Sequence, residues 1–200
     1  MSASERPSDD ELMAAIAAGD RDAFAALYRR RRPDVYRFAV HMTGAPASAE
    51  DVTQDVFMAV IHDARRYRSG RSGVVPWLLG IARNHARRRM SGDRKLDPLP
   101  DSSSPIDEAL TVTADPMVGL ARDREIAVVR GALRALPFSY REVVVLCDLQ
   151  ELSYVEAADA IGCAVGTVRS RLHRGRALLS ARLKGEQRGL GKRPVPGWVL

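Results

Sequence analysis

The segment from residue 91 to residue 118 interrupts an otherwise regular sequence pattern. It holds four prolines and a run of three serines, and its apolar residues follow no helical or strand period. This composition is typical of a linker, because proline breaks regular elements and serine favours turns. The 200 residues are thereby divided into two bodies, each large enough for one small domain.

Both bodies carry helical patterns. Apolar residues recur at helical spacing over most of each body, and only residues 143–147 (VVVLC) have a strand-like composition. We assign this run to a helix too, because no pairing strand is found. The predicted fold class is all-α, with two small helical domains joined by a flexible linker and a helix-turn-helix in the C-terminal domain. The predicted bounds are 9–92 for the first domain, 93–118 for the flexible acidic linker, 119–184 for the second domain and 185–200 for a disordered tail.

Local signals predict where helices of the first domain begin. Gly19 and Asp20 predict a break between two helical segments. Pro33 suits the first turn of a further helix, since its fixed φ is already helical. Ser48 followed by Asp51 resembles a capping box, which predicts another helix start at Ser48.

Residues 150–183 have the pattern of a helix-turn-helix. Ser153 and Glu156 form a capping box before a short helix, Gly162 ends that helix, and a second helix follows. Residues 165–184 contain six Lys or Arg and no acidic residue. The predicted exposed face of this helix carries Thr167, Arg169, Ser170, Arg171, His173, Arg174 and Arg176.

A helix of this kind fits the major groove of DNA, where arginine recognises guanine edges and other polar groups bind phosphates. The alternative is a solvated basic helix within a bundle. We favour DNA binding because the capping box, the turn glycine and the acid-free helix occur together in the expected order.

The net charge of +6 is concentrated in two segments. Residues 65–95 hold ten basic residues and one acidic residue, and residues 165–200 hold nine and one. An acidic stretch lies between them, at 96–118. Two separated basic segments predict two points of contact with a polyanion.

The first basic segment also contains Tyr67 and Trp77 among its arginines. Basic residues interleaved with aromatic rings suit single-stranded or distorted DNA, because exposed bases stack on rings while guanidinium groups hold phosphates. The alternative is a basic surface for duplex DNA with both rings in the core. Spacing alone leaves these two interpretations open.

Other chemistry has little support. We find no nucleophile constellation and no glycine-rich phosphate loop, and the two cysteines and four histidines show no ligand spacing. We therefore predict no catalytic residue, no metal, no cofactor and no small-molecule substrate. No apolar run is long enough for a membrane span and the N-terminus lacks a secretory core, so we predict a cytoplasmic protein without membrane insertion.

Four stretches together resemble the bacterial RNA polymerase sigma factors of the extracytoplasmic-function (ECF) type, also called group 4. The stretches occur in the order of that family and cover most of residues 10–183. They are GDRDAFAALYRRRRPDVYRFA (19–39), SAEDVTQDVF (48–57), PWLLGIARNHARRRM (76–90) and ALPFSYREVVVLCDLQELSYVEAADAIGCAVGTVRSRLHRGRALL (135–179).

The resemblance implies partners and roles. The helix matching 48–61 is expected to dock on the clamp coiled coil of the largest polymerase subunit, through Asp51, Gln54, Asp55 and Phe57. The flap of the polymerase is a further expected contact, and an anti-sigma factor is expected to hold the protein inactive. The family does not catalyse a reaction, and it melts promoter DNA with binding energy.

The resemblance also divides promoter recognition between the two domains. The −10 element is expected to be recognised and melted by Tyr67, Arg68, Arg71, Trp77, Arg83, Asn84, Arg87 and Arg88, with a loop near 68–75 capturing a flipped base. The −35 element is expected to contact Thr167, Arg169, Ser170, Arg171, Arg174 and Arg176. The chain departs from the family pattern in the loop GVVP before Trp77, and at Gly80, where many members carry arginine or a bulky residue.

Two other function classes are possible. A LuxR-like regulator would share only the helix-turn-helix and would bind duplex DNA as a dimer. Its receiver or ligand domain would contain strands, and residues 1–92 show no strand pattern. A helical enzyme would need a catalytic constellation, which the sequence lacks.

Overall fold

The computed structural model describes residues 6–68, 72–93 and 126–189. The regular elements of this part of the chain are all helical, as predicted. The helices are α1 (Asp9–Ala17), α2 (Arg21–Thr43), α3 (Pro46–Asp63), α4 (Val74–Asp93), α5 (126–134), α6 (Phe138–Val144), α7 (Tyr154–Ile161) and α8 (Val165–Gly189). A 3-10 turn, Ala64–Arg66, follows α3, and a π-helical turn, Val145–Leu149, extends α6. The apolar run VVVLC is therefore helical.

The outer parts of the predicted domain plan are described only in part. Of the predicted linker, residues 94–118 lie outside the described residues, as do residues 190–200 of the predicted tail. The first residues of that tail, 185–189, belong to α8 and are helical, contrary to the expected disorder. None of the described helices is both long enough and apolar enough to cross a membrane.

Helix α1 and helix α2 are separated at Gly19 and Asp20, as predicted. Gly19 has φ +96°, a value that favours glycine, and the carboxylate of Asp20 accepts hydrogen bonds from the backbone N–H groups of Asp22 and Ala23. The start of α1 is capped by Ser8, which forms a reciprocal capping box with Glu11.

Two predicted helix starts are wrong. Pro33 lies inside α2, which continues through it although proline offers no N–H to the preceding turn. Leu27, Val35 and Phe38 are buried on either side of the proline, and this burial keeps the helix continuous. Helix α3 begins at Pro46, two residues before the predicted start, since proline already has helical φ and needs no side-chain cap.

The helix-turn-helix forms as predicted. Ser153 and Glu156 cap α7 reciprocally, and Gly162 ends it in the left-handed conformation at φ 75°. Helix α8 packs closely on α6 at Gly175, where a Cβ would lie 2.8 Å from Val144 Cγ2. This contact holds α8 close against α6.

The two domains pack against each other, chiefly through α4 and α7. The buried apolar side chains of both domains form one continuous cluster. Arg141 on α6 is buried and reaches across the boundary, where its Nη1 donates to the backbone carbonyl of Met42 near the end of α2 at 2.5 Å. The described part of the chain is thus a closed arrangement of two helical domains.

Candidate nucleic-acid interface

The outer face of α8 presents free side chains near its N-terminal end. Arg169, Ser170 and Arg174 are exposed, and the guanidinium of Arg169 lies 5.8 Å from the centre of the Tyr154 ring. The Ser170 hydroxyl donates to the carbonyl of Thr167 at 3.1 Å. An exposed, acid-free helical face of this kind has the dimensions and donors needed for a major groove.

Two other predicted arginines of α8 are held by carboxylates. The Arg176 guanidinium donates to both oxygens of Asp148, at 2.5 and 3.1 Å, and this hydrogen bonding raises the pKa of Arg176. Arg171 Nη1 lies 3.5 Å from Glu142 Oε1. Thr167 is half-buried. Within the predicted −35 set, Arg169, Ser170 and Arg174 are therefore the most available.

Tyr67 and Trp77 are stacked edge to face in the first domain. Their ring centres lie 5.3 Å apart at an interplanar angle of 64°. The Tyr67 hydroxyl donates to Asp10 Oδ1 at 2.6 Å, and burial together with this bond raises the pKa of Tyr67. Both rings are half-buried and pack against the core while also lining a cleft of about 480 Å³. The rings are thus packed against the core on one side and accessible from the cleft on the other, and their contact with DNA stays a prediction.

The polar side chains of the predicted −10 set differ in exposure. Arg68, Asn84, Arg87 and Arg88 are exposed, while Arg71 lies outside the described residues. Arg83 is only 13% exposed in its side chain, and its Nε donates to Glu142 Oε2 at 2.6 Å. The arrangement thus brings Tyr67, Arg68, Trp77, Arg83 and Asn84 to one cleft, where Arg83 is paired with Glu142.

The predicted docking residues on α3 separate into two groups. Asp51 and Gln54 are exposed and Asp55 is half-buried, whereas Phe57 is 3% exposed and packs edge-on against Tyr28 at 4.7 Å. Phe57 therefore positions α3 from within the core. Asp51, Asp55 and Arg89 of α4 form an ion-pair cluster, with Arg89 nitrogens 2.8 Å from Asp51 and 3.3 Å from Asp55.

Sequence reasoning missed two apolar side chains on the same helix. Met58 and Ile61 are 49% and 51% exposed. They follow Gln54 at spacings of four and three residues, so they continue its face of the helix. The available signal was the pair of large apolar residues outside the buried stripe of α3, which is typical of a protein contact surface.

Sequence reasoning also missed Glu142, whose side chain is 1% exposed. Its carboxylate contacts Arg83 on α4 and Arg171 on α8, two residues from different predicted DNA surfaces. The available signal was a single acidic residue directly before the apolar run VVVLC. An acid in such a segment is buried only when it is paired, so the pattern indicates a partner elsewhere in the chain.

Metal and thiol chemistry would depend on the histidines, cysteines and carboxylates of the described residues. Among residues 6–68, 72–93 and 126–189, no group of three His, Cys, Asp or Glu side chains is placed to hold a metal ion. Cys147 and Cys163 are free, and burial raises the pKa of the Cys147 thiol to about 11, which leaves it a poor nucleophile.

Comparison with known proteins agrees with this geometry. The sequence matches the family model for Sigma-70 region 2 over residues 27–95 and that for Sigma-70, region 4, over residues 126–179. It is 35% identical to the ECF RNA polymerase sigma factor SigE of Mycolicibacterium smegmatis, covering 86% of this chain and 68% of that one. It is 36% identical to the ECF RNA polymerase sigma factor SigM of Mycobacterium tuberculosis, covering 89% and 85%.

Two solved structures have a similar fold. CnrH, in complex with the cytosolic domain of CnrY, superposes with a TM-score of 0.66 at 27% identity, over 90% of this chain and 99% of that chain. The sigma factor RpoE of Bartonella quintana, in complex with the anti-sigma factor NepR, gives 0.62 at 28% identity, over 80% and 96%. With both family models in the expected order and a relative of this identity matched over most of its length, the chain belongs to the ECF RNA polymerase sigma factors.

Proposed function

We propose that this sigma factor binds core RNA polymerase through α3, recognises a −10 element with the segment 67–88, and recognises a −35 element with α8. It performs no catalysis, and promoter melting draws on binding energy alone. The observation that carries the proposal is that the two domains present two different surfaces: an exposed basic helix on one and a cleft lined by stacked aromatic rings on the other.

The α8 surface suits duplex DNA. Arg169 and Arg174 are exposed, and bidentate arginine contacts to guanine supply base discrimination. The neighbouring basic groups suit phosphate contacts, which fix the orientation of the helix on the duplex, whereas the Ser170 hydroxyl donates to the Thr167 carbonyl in this structure. This division of labour supports recognition of a short double-stranded element.

The cleft beside α4 suits unpaired DNA. Tyr67 and Trp77 line the cleft, and Asn84 offers its amide donors at the rim while its Oδ1 accepts from Arg83 Nη1 at 3.1 Å. Arg87 and Arg88 are exposed along the same helix and suit the backbone of a separated strand. An unstacked base gains stacking and hydrogen bonds here that a paired base does not.

The α3 surface suits a protein partner. Exposed Met58 and Ile61 adjoin the polar Gln54 and the ion-pair cluster of Asp51, Asp55 and Arg89. An apolar patch with a charged border is typical of a specific protein interface. We assign this surface to the clamp coiled coil of the largest polymerase subunit, and the second domain to the flap.

Control by an anti-sigma factor is part of the proposal. RpoE was solved in complex with the anti-sigma factor NepR, and CnrH was solved in complex with the cytosolic domain of CnrY. The same fold in this chain supports a partner that covers the polymerase-binding surfaces. The expected location is the cytoplasm, where the polymerase acts.

Run-off transcription tests the proposal directly. Purified full-length protein is added to core polymerase with fragmented genomic DNA as template. Discrete transcripts that depend on the added protein, with 5′ ends sharing upstream elements, are the expected result. Absence of any protein-dependent transcript, with a core enzyme shown to respond to another sigma factor, would overturn it.

A variant on α3 tests the docking surface. Asp55→Arg combined with Gln54→Ala reverses one charge and removes one polar group, and we expect weak or no co-purification with core polymerase. Asp22→Arg, at an exposed acid on α2, is the matched control for added positive charge. Equal recovery of core enzyme with both variants, each with a helical circular dichroism spectrum like that of the parent, would contradict the assignment.

A further inference from the structure

The cleft lined by Tyr67 and Trp77 is covered on one side by the second domain. Its far wall is formed by residues 159–162 at the end of α7. The Ser72 hydroxyl, at the entrance to α4, hydrogen-bonds the carboxylate of Asp159. In this arrangement the aromatic rings and the end of α7 line the same cleft, so α7 occupies one side of the surface proposed to bind a DNA strand.

The close approach of α4 and α7 depends on Gly80. A Cβ at this position would lie 2.9 Å from the backbone carbonyl oxygen of Ala160 and 3.5 Å from its Cα. A backbone group, unlike a flexible side chain, moves only if the whole helix moves. Glycine is unfavourable inside a helix, and nothing in α4 itself requires it here. The close contact between α4 and α7 therefore explains the glycine at position 80.

Glu142 joins the two proposed DNA surfaces. Its buried carboxylate receives Arg83 Nε at 2.6 Å and lies 3.5 Å from Arg171 Nη1. Carboxylate and phosphate oxygens use the same donors of a guanidinium group. The protein's own carboxylate therefore occupies guanidinium donors of both arginines that would otherwise be available to a phosphate.

A third contact holds the same arrangement. The buried Arg141 Nη1 donates to the carbonyl of Met42, in the last turn of α2. Carbonyl groups at the end of a helix lack helical partners and carry partial negative charge, so a cation there is favourable. The arginine belongs to the second domain and the carbonyl to the first, so this contact also joins the two domains.

We propose that the closed arrangement is an autoinhibited state of the free protein, in which α7 and Glu142 withhold the −10 surface from DNA until the domains separate. The proposal rests on the function proposed above. The state is selective, because Arg169 and Arg174 on α8 stay exposed while the cleft beside α4 is covered. Binding to single strands is suppressed, and binding to duplex DNA is not.

The test uses full-length protein with Gly80→Ala, and with Gly131→Ala as the matched control. Gly131 also lies in a helix, and a Cβ there would meet no atom within 4 Å. Both substitutions favour their own helix, but only Gly80→Ala pushes α7 away. The probes are fluorescent DNA of mixed sequence, about 15 nucleotides long, as a single strand and as a duplex.

We expect Gly80→Ala to bind the single strand about tenfold more tightly than the parent protein, since a larger fraction of molecules is open. Duplex affinity and both affinities of Gly131→Ala should stay at the parent values. The radius of gyration of Gly80→Ala in solution scattering should exceed that of the parent. Glu142→Gln removes the charge while keeping the shape of the side chain. It should also raise the single-strand affinity and increase the radius of gyration.

Two results would overturn the proposal. One is a larger radius of gyration for Gly80→Ala with unchanged single-strand affinity, which shows that closure does not mask the surface. The other is an unchanged radius for both variants, which shows that these contacts do not hold the domains together. Run-off transcription with the same proteins distinguishes failure of the autoinhibition proposal from failure of the proposed function. A variant with separated domains that binds single strands tightly but supports no transcription contradicts only the proposed function.

Discussion

The two basic segments of this chain have nearly the same charge, but individual arginines within them differ widely in exposure. Residues 65–95 carry ten basic residues against one acidic residue, and residues 165–200 carry nine against one. On α8 the proposed DNA-contacting Arg169 and Arg174 are exposed, whereas on α4 the side chain of Arg83 is 13% exposed and bound to Glu142. The difference teaches that segment charge predicts an anionic partner, while carboxylates distant in the sequence decide which cations are available to it.

The largest expected effect comes from removing that carboxylate. Glu142→Ala leaves Arg83 half-buried without its counter-ion, and breaking a buried pair costs about 3–5 kcal/mol. When the domains separate, water solvates Arg83 again. The measured loss in the free energy of unfolding is therefore no larger than the free energy needed to separate the domains. Urea denaturation followed by circular dichroism measures it.

Asp148→Ala is the matched control for this prediction. It removes the carboxylate that holds Arg176, whose side chain is 56% exposed, and exposed ion pairs contribute only about 0–1 kcal/mol. Equal destabilisation by Glu142→Ala and Asp148→Ala would contradict the prediction that the ion pair of the buried arginine contributes more to the free energy of unfolding than that of the exposed arginine.

Arg174→Ala tests the available side of the comparison. If Arg174 contacts a base, we expect a loss of about 1–3 kcal/mol in binding to duplex DNA carrying the −35 element found by run-off mapping. Arg182→Ala, also an exposed arginine of α8 but outside the proposed set, is the control. Binding that is equal for matched and scrambled elements in parent and variant would count against a role in recognition.

Lowering the pH should reduce the stability of the protein through His41, a largely buried residue near Arg130 of the second domain. Burial, with Arg130 and Arg37 nearby, lowers the pKa of His41 from 6.5 to about 4. The unfolded chain therefore binds the proton first, so the contribution of His41 to stability is complete above pH 6.5 and is lost as the pH falls towards 4. We expect a loss of about 2 kcal/mol between pH 6.5 and 5.

Denaturation of the parent and of His41→Gln at both pH values isolates this contribution. The variant should lose less stability on acidification, because glutamine does not titrate. Parallel losses in the two proteins would assign the acid sensitivity to other groups.

The smallest effect concerns the capping box of α7, the helix that covers the cleft. Ser153→Ala removes the cap and should cost about 1 kcal/mol in thermal or urea unfolding. Ser8→Ala removes an equivalent box from α1. Both variants should lose similar stability, but amide hydrogen exchange should rise in α7 only with Ser153→Ala. Equal exchange in α7 for both would show that the cap does not hold this helix in place.

Local signals predicted much of the helix-turn-helix. Ser153, Glu156 and Gly162 act within one or two turns of each other, so their spacing in the sequence is their spacing in the fold. The exposed face of α8 followed from helical periodicity for the same reason. Where a local rule competed with packing, it failed: Pro33 lies within α2 because apolar contacts on both sides outweigh one missing hydrogen bond.

The contacts between the domains were beyond sequence reasoning. Arg83 and Glu142 are 59 positions apart, and no period or motif relates them. Phe57 was placed with the docking residues by its position in a motif, yet its ring packs against Tyr28 in the core. Gly80 stood out only as a departure from the family pattern, and its contact with Ala160 supplies a physical reason for it.

The contact at Gly80 has an asymmetric evolutionary consequence. Each of the other nineteen amino acids adds a carbon at the position that would lie 2.9 Å from the Ala160 carbonyl oxygen. A lineage can therefore lose the tight fit of α4 on α7 by any replacement at this codon, and it regains the fit only by returning to glycine or by shifting α7. Closure in such a protein is easily abandoned and hard to reacquire, so related chains are expected to differ in it even where their DNA-binding residues agree.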